Sequence, residues 1–292
     1  SRKLGIPFIY EVRGMWEDSA VAQGRWTPKS IPYRYYRSQE NKVIKHADDV
    51  IVIGENLMKE IVSRNLRSSL PTMIPNAVGR KMATYPLEFE HPPPESVTNL
   101  TERLNLDDST IVVGYIGSLR ALEGVDFTAK AVAKCASDGL DIRFLVCSSK
   151  ANQEDLRNLC SDLGIEDQSF IEGPYAHDEI VHFYDLIDVF VVSRPDSNVT
   201  RIVPPIKPLE AMIRGRPTVV SHLPALCEII EPHVTGMTFP AENVDALSTI
   251  ISDLASDPEL RVTLGKASRQ YVLNERIWPK IVDNYQVIYQ RH

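Results

Sequence analysis

The feature that most constrains the fold is a regular alternation of apolar runs and amphipathic segments between residues 110 and 221. Runs that are apolar along most of their length are typical of strands buried on both faces of a sheet, and amphipathic helices between them make the crossover connections. The pattern therefore predicts an α/β domain, a parallel sheet with helices on both faces. The predicted strands are IVVGYIG (111–117), IRFLVC (142–147), QSFIEG (168–173), DVFVVS (188–193) and PTVVS (217–221).

A shorter αβ segment precedes this alternation, and a proline-rich stretch separates the two. Residues 6–12, the start of ADDVIVIGENLMKEIVSRN (47–65) and MIPNAV (73–78) predict strands, and an amphipathic helix follows the second of them. From Gly79 to Ser109, three consecutive prolines interrupt any regular period before a short helix at ERLNL, which is typical of a linker. A chain of 292 residues also favours two domains.

We therefore predict four units along the chain. Residues 1–78 form the C-terminal part of an N-terminal domain, 79–109 a linker, 110–276 a second domain, and 277–292 a closing helix. The chain opens with SRKLGIPFIYEV, which lacks an initiator methionine and reaches the first predicted strand within a few residues. We therefore expect sequence upstream of it.

Charge and cysteine usage disfavour some partners. A net charge of −7 and a pI near 5.6 argue against a protein whose main partner is a nucleic-acid backbone. The segment SIPYRYYRSQENKVIKHAD (30–48) is locally basic and aromatic, which fits a membrane surface or nucleic acid; a helix with a solvated charged face is the alternative that we favour. No apolar run reaches the roughly 18–20 residues of a membrane span, so we expect a cytoplasmic protein.

Reduced, mostly buried thiols are expected at Cys135, Cys147, Cys160 and Cys227.

Candidate site residues follow the predicted strands, because ligands of such sheets bind at the carboxyl ends of the strands. We find no His-Glu-x-x-His metal motif, no Gly-x-Gly-x-x-Gly dinucleotide motif and no Walker A motif, so neither a metal site, a dehydrogenase nor a P-loop NTPase is predicted. The candidates are Gly117, Ser118 and Arg120, then Ser148 and Ser149, then Gly173 to Tyr175, then Arg194, and last Lys207 to Glu210.

The stretch IVPPIKPLEAMIRG (202–215) carries the most specific of these candidates. Pro208 suits a helix start, where Lys207 and free N–H groups would face an anion. Glu210 would repel a phosphate, so we predict that it binds the hydroxyls of a ribose. The alternative is an exposed ion pair between Lys207 and Glu210, three residues apart.

Two further groups of candidates also have alternative interpretations. Arg194 lies in a loop with Arg201 and Lys207, and such a cluster suits a diphosphate, although a solvated loop with incidental charges has the same composition. Gly117 and Ser118 offer close backbone approach and a hydroxyl to an anion, or form a plain tight turn.

The order of motifs along the chain resembles a known family. YIGSL, EGVDF, IRFLVC, FIEGPY, VFVVS, PLEAMIRGRPTVVS, CEII and VTGMTFPAEN, over residues 110–292, resemble the nucleotide-binding half of the retaining glycosyltransferases of family 4. VIVIGENLMKEIVSRN and MIPNAV resemble the end of that family's N-terminal domain, and IPFIYEVRGMWEDSAVAQG resembles its exopolysaccharide-type members. The resemblance covers essentially the whole chain. It implies the GT-B fold, with two Rossmann-like domains of which the N-terminal one is incomplete.

The resemblance also implies an activity. A sugar would pass from a nucleotide-diphosphate donor to a polysaccharide or lipid-linked acceptor with retention and without a metal ion or other cofactor. Peripheral membrane contact would lie in the missing N-terminal part. By position, Glu210 matches the ribose-binding glutamate. The places near the diphosphate are matched by Gly117, Ser118, Arg120 and Lys207, and the residue pattern adds Arg194 to them. The base site is matched by Gly173 to Tyr175. By the same resemblance, Arg13 lies near the reacting carbon. We therefore predict Arg13 and Lys207 as catalytic.

Two positions depart from the family pattern. Ile202 stands eight residues before Glu210, where the first of two glutamates is usual, and Glu123 stands where a lysine is usual. Three hypotheses follow: a retaining glycosyltransferase, a sugar-nucleotide epimerase of the same fold, and a fragment or degenerate homologue that binds nucleotide without transfer.

Overall fold

The computed structural model describes residues 4–85, 93–107, 109–176 and 178–292. These residues form two parallel sheets, of three and six strands, with helices around them. None of the helices in the described parts is long and apolar enough to cross a membrane.

The N-terminal sheet has the order β1-β2-β3. Its elements are β1 (Ile9–Val12), α1 (Trp16–Ala22), α2 (Ile31–His46), β2 (Asp49–Val52), α3 (Glu55–Ser63) and β3 (Thr72–Met73). The strand predicted over MIPNAV is shorter than expected, because only Thr72 and Met73 pair with β2. Ile74 and Ala77, which follow, are buried against the C-terminal helices instead.

Buried ion pairs hold α1 against α2 and α3. Glu17 is almost fully buried and lies 3.4 Å from the guanidinium of Arg64 and 3.7 Å from that of Arg37. Burial raises the pKa of Glu17, and the two arginines partly offset this effect. The basic helix α2 therefore uses Arg37 internally, while Ile31, Tyr35 and Tyr36 are exposed on its outer side.

The segment predicted as a linker carries helices that belong to the second domain. Residues 86–92, with the first of its three consecutive prolines, lie outside the described residues. On either side are α4 (Arg80–Thr84) and α5 (Glu95–Leu104), and the apolar side chains of α5 join the large core. The amphipathic spacing of Val97, Leu100 and Leu104 places them on one face of α5.

The second sheet has the order β6-β5-β4-β7-β8-β9, with all neighbouring strands parallel. This is a doubly wound sheet in which the strand order reverses between β4 and β7, and ligands of such sheets bind in the crevice at that point. The prediction of a doubly wound parallel sheet is confirmed. Its elements are β4 (Ile111–Ile116), α6 (Val125–Ser137), β5 (Ile142–Cys147), α7 (Gln153–Asp162), β6 (Ser169–Glu172), α8 (Ile180–Asp185), β7 (Val189–Val192), α9 (Asn198–Ile202), α10 (Lys207–Ile213), β8 (Thr218–Ser221), α11 (Pro224–Cys227), β9 (Met237–Phe239), α12 (Val244–Ser256) and α13 (Pro258–Glu275).

The end of the chain returns to the N-terminal sheet. Val78 N–H donates to the carbonyl of Arg276 at 2.7 Å, and Trp278 N–H donates to that of Val78 at 3.2 Å. The last helices, α14 (Trp278–Ile281) and α15 (Asp283–Tyr289), then bury Ile281 and Ile288 against the small sheet.

A carboxylate of the second domain also caps a helix of the first. Glu228 accepts hydrogen bonds from the backbone N–H groups of Glu55, at 2.8 Å, and Asn56, at 2.7 Å, at the start of α3. Gly54 lets the carboxylate approach, because a Cβ atom there would lie 2.7 Å from Glu228 Oε2, which would have to shift. The free N–H groups of α3 thus find their acceptor in the other domain.

Candidate functional site

A cavity of about 200 Å³ opens at the carboxyl ends of β4 and β5, beside the start of α10. Four of the predicted donor-binding residues, Gly117, Tyr175, Lys207 and Glu210, lie around it together with Ser148 and Ser149. Its apolar lining comes from Met82, Ile116, Cys147, Pro174 and Ile180. We call it the donor cavity, after the donor site that the family resemblance predicts for these residues.

Glu210 is fixed by two donors on one carboxylate oxygen. The Tyr184 hydroxyl donates to Oε2 at 2.7 Å, and the Lys207 ammonium donates to the same oxygen at 2.8 Å. Burial and the nearby Glu210 charge raise the pKa of Tyr184, so its hydroxyl stays protonated as a donor. The carboxylate is therefore held in one orientation beside the cavity.

The ion pair between Lys207 and Glu210 is present, but it is not an exposed surface pair. The Glu210 side chain is only 14% exposed, and both residues line the donor cavity. An ammonium has three donors, and the bond to Glu210 uses one of them. Lys207 thus retains donors for an anion in the cavity.

Two glycines allow the backbone to pack closely around the cavity. Gly173 has a φ of +100°, and a Cβ atom there would lie 2.4 Å from the carbonyl oxygen of Ser148. A Cβ atom at Gly117 would lie 2.5 Å from the Tyr115 hydroxyl. Both positions therefore require glycine in this packing.

Tyr175 forms one wall of the donor cavity. Its ring stacks on Phe183 with 4.1 Å between centroids, and its hydroxyl donates to the carboxylate of Glu172 at 3.3 Å. Burial is the main reason that the pKa of Tyr175 is raised. A flat aromatic surface is thus fixed next to Pro174.

Arg120 and Arg194 are joined through one buried carboxylate. Glu123 accepts from Arg120 at 3.0 Å on Oε1 and from Arg194 at 3.0 and 2.8 Å on Oε2. Arg120 also donates to the Ser118 hydroxyl at 3.1 Å and is half exposed. Arg194 is only 7% exposed and donates to the carbonyl of Val203 as well. Arg194 does not line the donor cavity, so this geometry does not support the predicted contact between Arg194 and a donor.

Arg13 lines a different cavity, of about 420 Å³, which it shares with Arg120. Its guanidinium donates to Glu11 at 3.0 Å and to the side-chain oxygen of Asn76 at 3.2 Å. The two residues predicted as catalytic, Arg13 and Lys207, therefore line different cavities. We call the one with Arg13 the arginine cavity.

Sequence reasoning missed three residues that shape these sites. Tyr184 orients Glu210, Glu123 joins the two arginines, and Gln153 donates to the carbonyls of Ser148 and Glu172 at 3.2 and 2.9 Å. Tyr184 and Glu123 were missed because their partners Glu210 and Arg194 lie 26 and 71 residues away in the sequence. The contact of Gln153 with Glu172 likewise spans 19 residues.

Thiols and metal ligands contribute little chemistry in the parts of the chain that the structure describes. No group of three or more His, Cys, Asp or Glu side chains there is arranged to hold a metal ion. All four cysteines are free; Cys135, Cys147 and Cys160 are buried, while Cys227 is partly exposed. Burial raises the pKa of the Cys147 thiol, which therefore stays protonated.

Comparison with known proteins identifies the family. The model of the family described as glycosyl transferases group 1 matches residues 96–271, more than half of the chain. The chain belongs to the group 1 glycosyltransferases. The alpha-D-kanosaminyltransferase of Streptomyces kanamyceticus is 28% identical over 162 residues, which are 56% of this chain and 40% of that protein. The aligned part of the chain thus covers well under half the length of this relative.

Solved structures of glycosyltransferases share the fold. Sucrose-phosphate synthase from Thermosynechococcus elongatus superposes with a TM-score of 0.76 at 19% identity, covering 99% of this chain and 69% of that one. Anabaena HepE in complex with UDP-glucose superposes with a TM-score of 0.78 at 16% identity, covering 98% of this chain and 72% of that one. The group 1 chain thus has the GT-B fold, with two Rossmann-like domains.

Proposed function

We propose that the protein transfers a sugar from a nucleotide-diphosphate donor to a saccharide or lipid-linked acceptor, with retention at the anomeric carbon and without a metal ion. By the same proposal it is a family 4 enzyme of exopolysaccharide synthesis that acts in the cytoplasm or at the inner face of the membrane. The group 1 family and the likeness to HepE, whose structure holds UDP-glucose, support a nucleotide-sugar donor.

The observation that carries the proposal is the fixed carboxylate of Glu210 beside Lys207 in the donor cavity. A carboxylate oriented by Tyr184 can accept hydrogen bonds from the two hydroxyl groups of a ribose. The adjacent ammonium of Lys207 suits the diphosphate that follows the ribose in the donor. Tyr175 and the turn at Gly173 would hold the base. By this proposal Tyr175 serves the base, Glu210 the ribose and Lys207 the diphosphate, and all three side chains line the same cavity.

Departure of the diphosphate would be assisted by cations. In the proposed step the oxygen of an acceptor hydroxyl forms a bond to the anomeric carbon while the bond between that carbon and the phosphate oxygen breaks. The hydroxyl proton passes to the leaving diphosphate, on which negative charge grows as the bond breaks. Lys207, which lines the donor cavity, would stabilise that charge together with Arg120, which is outside the lining but only three residues after Gly117. Arg194 would act indirectly, because it holds Glu123, which in turn positions Arg120.

The test compares Glu210→Ala with Arg13→Ala in a thermal-shift screen with UDP, GDP, ADP, TDP and CMP. A ligand that binds only the folded state raises the unfolding midpoint. We expect Glu210→Ala to weaken nucleoside-diphosphate binding about 10- to 100-fold, as expected for hydrogen bonds to a charged group. Arg13→Ala should leave it nearly unchanged, because Arg13 lines the other cavity.

Glu259→Ala is the matched control, since Glu259 also lies in the first turn of a helix but is exposed on α13. Equal losses for the Glu210 and Arg13 variants would contradict the assignment of Glu210 to the ribose. The absence of a shift with every nucleotide would refute the donor site. Binding without sugar transfer would instead favour a nucleotide-binding homologue, and the anomeric configuration of any product, read by NMR, tests retention.

A further inference from the structure

The arginine cavity lies between the two domains and is strongly cationic. Arg13 and Arg25 enter it from the N-terminal domain, and Arg120 enters from the turn after β4. One carboxylate, that of Glu11, also lines it. Three guanidinium groups against one carboxylate leave an excess of two positive charges, in a chain whose net charge is −7.

The Glu11 charge is already compensated. One of its oxygens accepts from Arg13 at 3.0 Å and the other from the Tyr285 hydroxyl at 3.2 Å. A guanidinium has five N–H donors, and Arg13 uses one on Glu11 and one on Asn76. Arg13 therefore keeps donors for a ligand, in a direction fixed by those two contacts.

Arg25 is placed at the cavity by the end of α1. Gly24, with a φ of +68°, donates to the carbonyl of Val21 at 2.9 Å, and Arg25 N–H donates to that of Ala20, also at 2.9 Å. This pair of bonds is a Schellman motif, which fixes the chain as it leaves a helix. The exposed Arg25 side chain thus extends into the cavity from a rigid backbone position.

The cavity is separate from the donor cavity, yet both adjoin the turn after β4. The donor cavity is lined by Gly117 at the start of that turn, whereas the arginine cavity is lined by Arg120. Trp16, which is 75% exposed, and Tyr10 add aromatic surface to the arginine cavity. A sugar-sized molecule that carries negative charge matches both the aromatic and the cationic lining.

We infer that the acceptor carries an anionic group, either the carboxylate of a uronic acid or the diphosphate of a lipid carrier, and that Arg13 and Arg25 bind this group in the arginine cavity. The inference rests on the proposed function, because only a transferase needs an acceptor opposite the donor. The donor's own diphosphate does not account for Arg25, which lies on the N-terminal domain and does not line the donor cavity.

The test uses the 292-residue chain saturated with UDP and follows its tryptophan fluorescence, because Trp16, one of three tryptophans, lines the arginine cavity. The probes are sodium pyrophosphate, methyl β-glucuronide and its neutral counterpart methyl β-glucoside. We expect at least one anionic probe to bind measurably more tightly than the glucoside and to bind more weakly as salt is added. Pyrophosphate binding alone would indicate a carrier diphosphate, and glucuronide binding alone would indicate a uronic acid.

Arg25→Gln should weaken binding of the anionic probe about tenfold or more, the loss expected for a hydrogen bond between charged groups. Lys29→Gln is the matched control, because Lys29 is an exposed cation on the same loop and does not line the cavity. Trp16→Phe should remove the signal; calorimetry then reports the affinity.

Unchanged affinity in Arg25→Gln, or equal affinity for glucuronide and glucoside without pyrophosphate binding, would overturn the inference. Failure of the proposed function is distinguishable. In that case UDP itself does not bind, whereas titration of the anionic probes and the comparison of Arg25→Gln with Lys29→Gln proceed without it.

Discussion

Replacement of Glu123 by alanine should be among the most destabilising single substitutions in the second domain. Glu123 is 4% exposed, and its Oε2 accepts two hydrogen bonds from the buried guanidinium of Arg194. Removal of the carboxylate leaves that guanidinium without its counter-charge in a place that water hardly reaches. Removing one partner of a buried ion pair costs about 3–5 kcal/mol. That is a large share of the ~5–15 kcal/mol that stabilises a typical domain.

The assay is urea unfolding followed by circular dichroism for Glu123→Ala, Arg194→Met and the double variant. The double variant removes both charges, so it should cost less than the sum of the two single variants. We expect a coupling energy toward the upper end of the ~0.5–3 kcal/mol seen for residues in contact. Asp196→Ala, which breaks the exposed pair with Arg201, is the control and should leave the midpoint unchanged.

Glu123→Lys sharpens the prediction. Lysine is the residue that the family resemblance leads one to expect at this position. Here it would place a second cation against the buried Arg194, so it should destabilise the fold more than alanine does. A cost below about 1 kcal/mol for Glu123→Ala, or additive single variants, would refute the view that Glu123 balances a buried charge.

Two further predictions concern a glycine and a histidine. Gly173→Ala should destabilise the protein by about 1–3 kcal/mol more than Gly139→Ala, measured by thermal unfolding, because both have positive φ but only Gly173 would bring a Cβ atom against the carbonyl of Ser148; equal costs would contradict this reasoning. Burial lowers the pKa of His182 below 6.5, the ordinary value for a histidine. The contribution of His182 to stability is therefore fully present above pH 6.5 and is lost as the pH falls from there through the folded-state pKa. The urea midpoint of His182→Gln should therefore fall less than that of the wild type between neutral and mildly acidic pH, and a parallel decline of both would refute the assignment.

The sheet of the second domain was predictable because its strands are buried on both faces. The strand predicted over IRFLVC coincides with β5 at Ile142–Cys147, where every residue but Arg143 is buried. MIPNAV was less predictable, since Ile74 and Ala77 are buried by helices that begin some 200 residues later. An apolar run predicts that its residues are buried, but it does not predict which element packs against them.

The site was predictable to the extent that it follows from sheet topology. The rule that ligands bind after the strands selected Gly117, Tyr175, Lys207 and Glu210, and the fold brings these residues around one cavity. The rule also selected Arg194, whose partner Glu123 is 71 residues away. No local pattern therefore indicated that this arginine is buried and paired with a carboxylate. The charge of an arginine does not show whether its guanidinium binds a ligand or pairs with a buried carboxylate of the same chain.

The departure at Ile202 has a structural explanation in the loop between β7 and α10. Ile202 ends α9 and is buried in the apolar cluster of the N-terminal domain, beside residues such as Val12 and Leu57. A glutamate in this packing would bury a charge among apolar side chains, which costs several kcal/mol without a partner. The same loop carries Lys207 and Glu210 to the donor cavity at its other end. One segment thus joins the domains through Ile202 and shapes the donor cavity through α10. Under the proposed function, contacts to a donor sugar would come from residues other than Ile202.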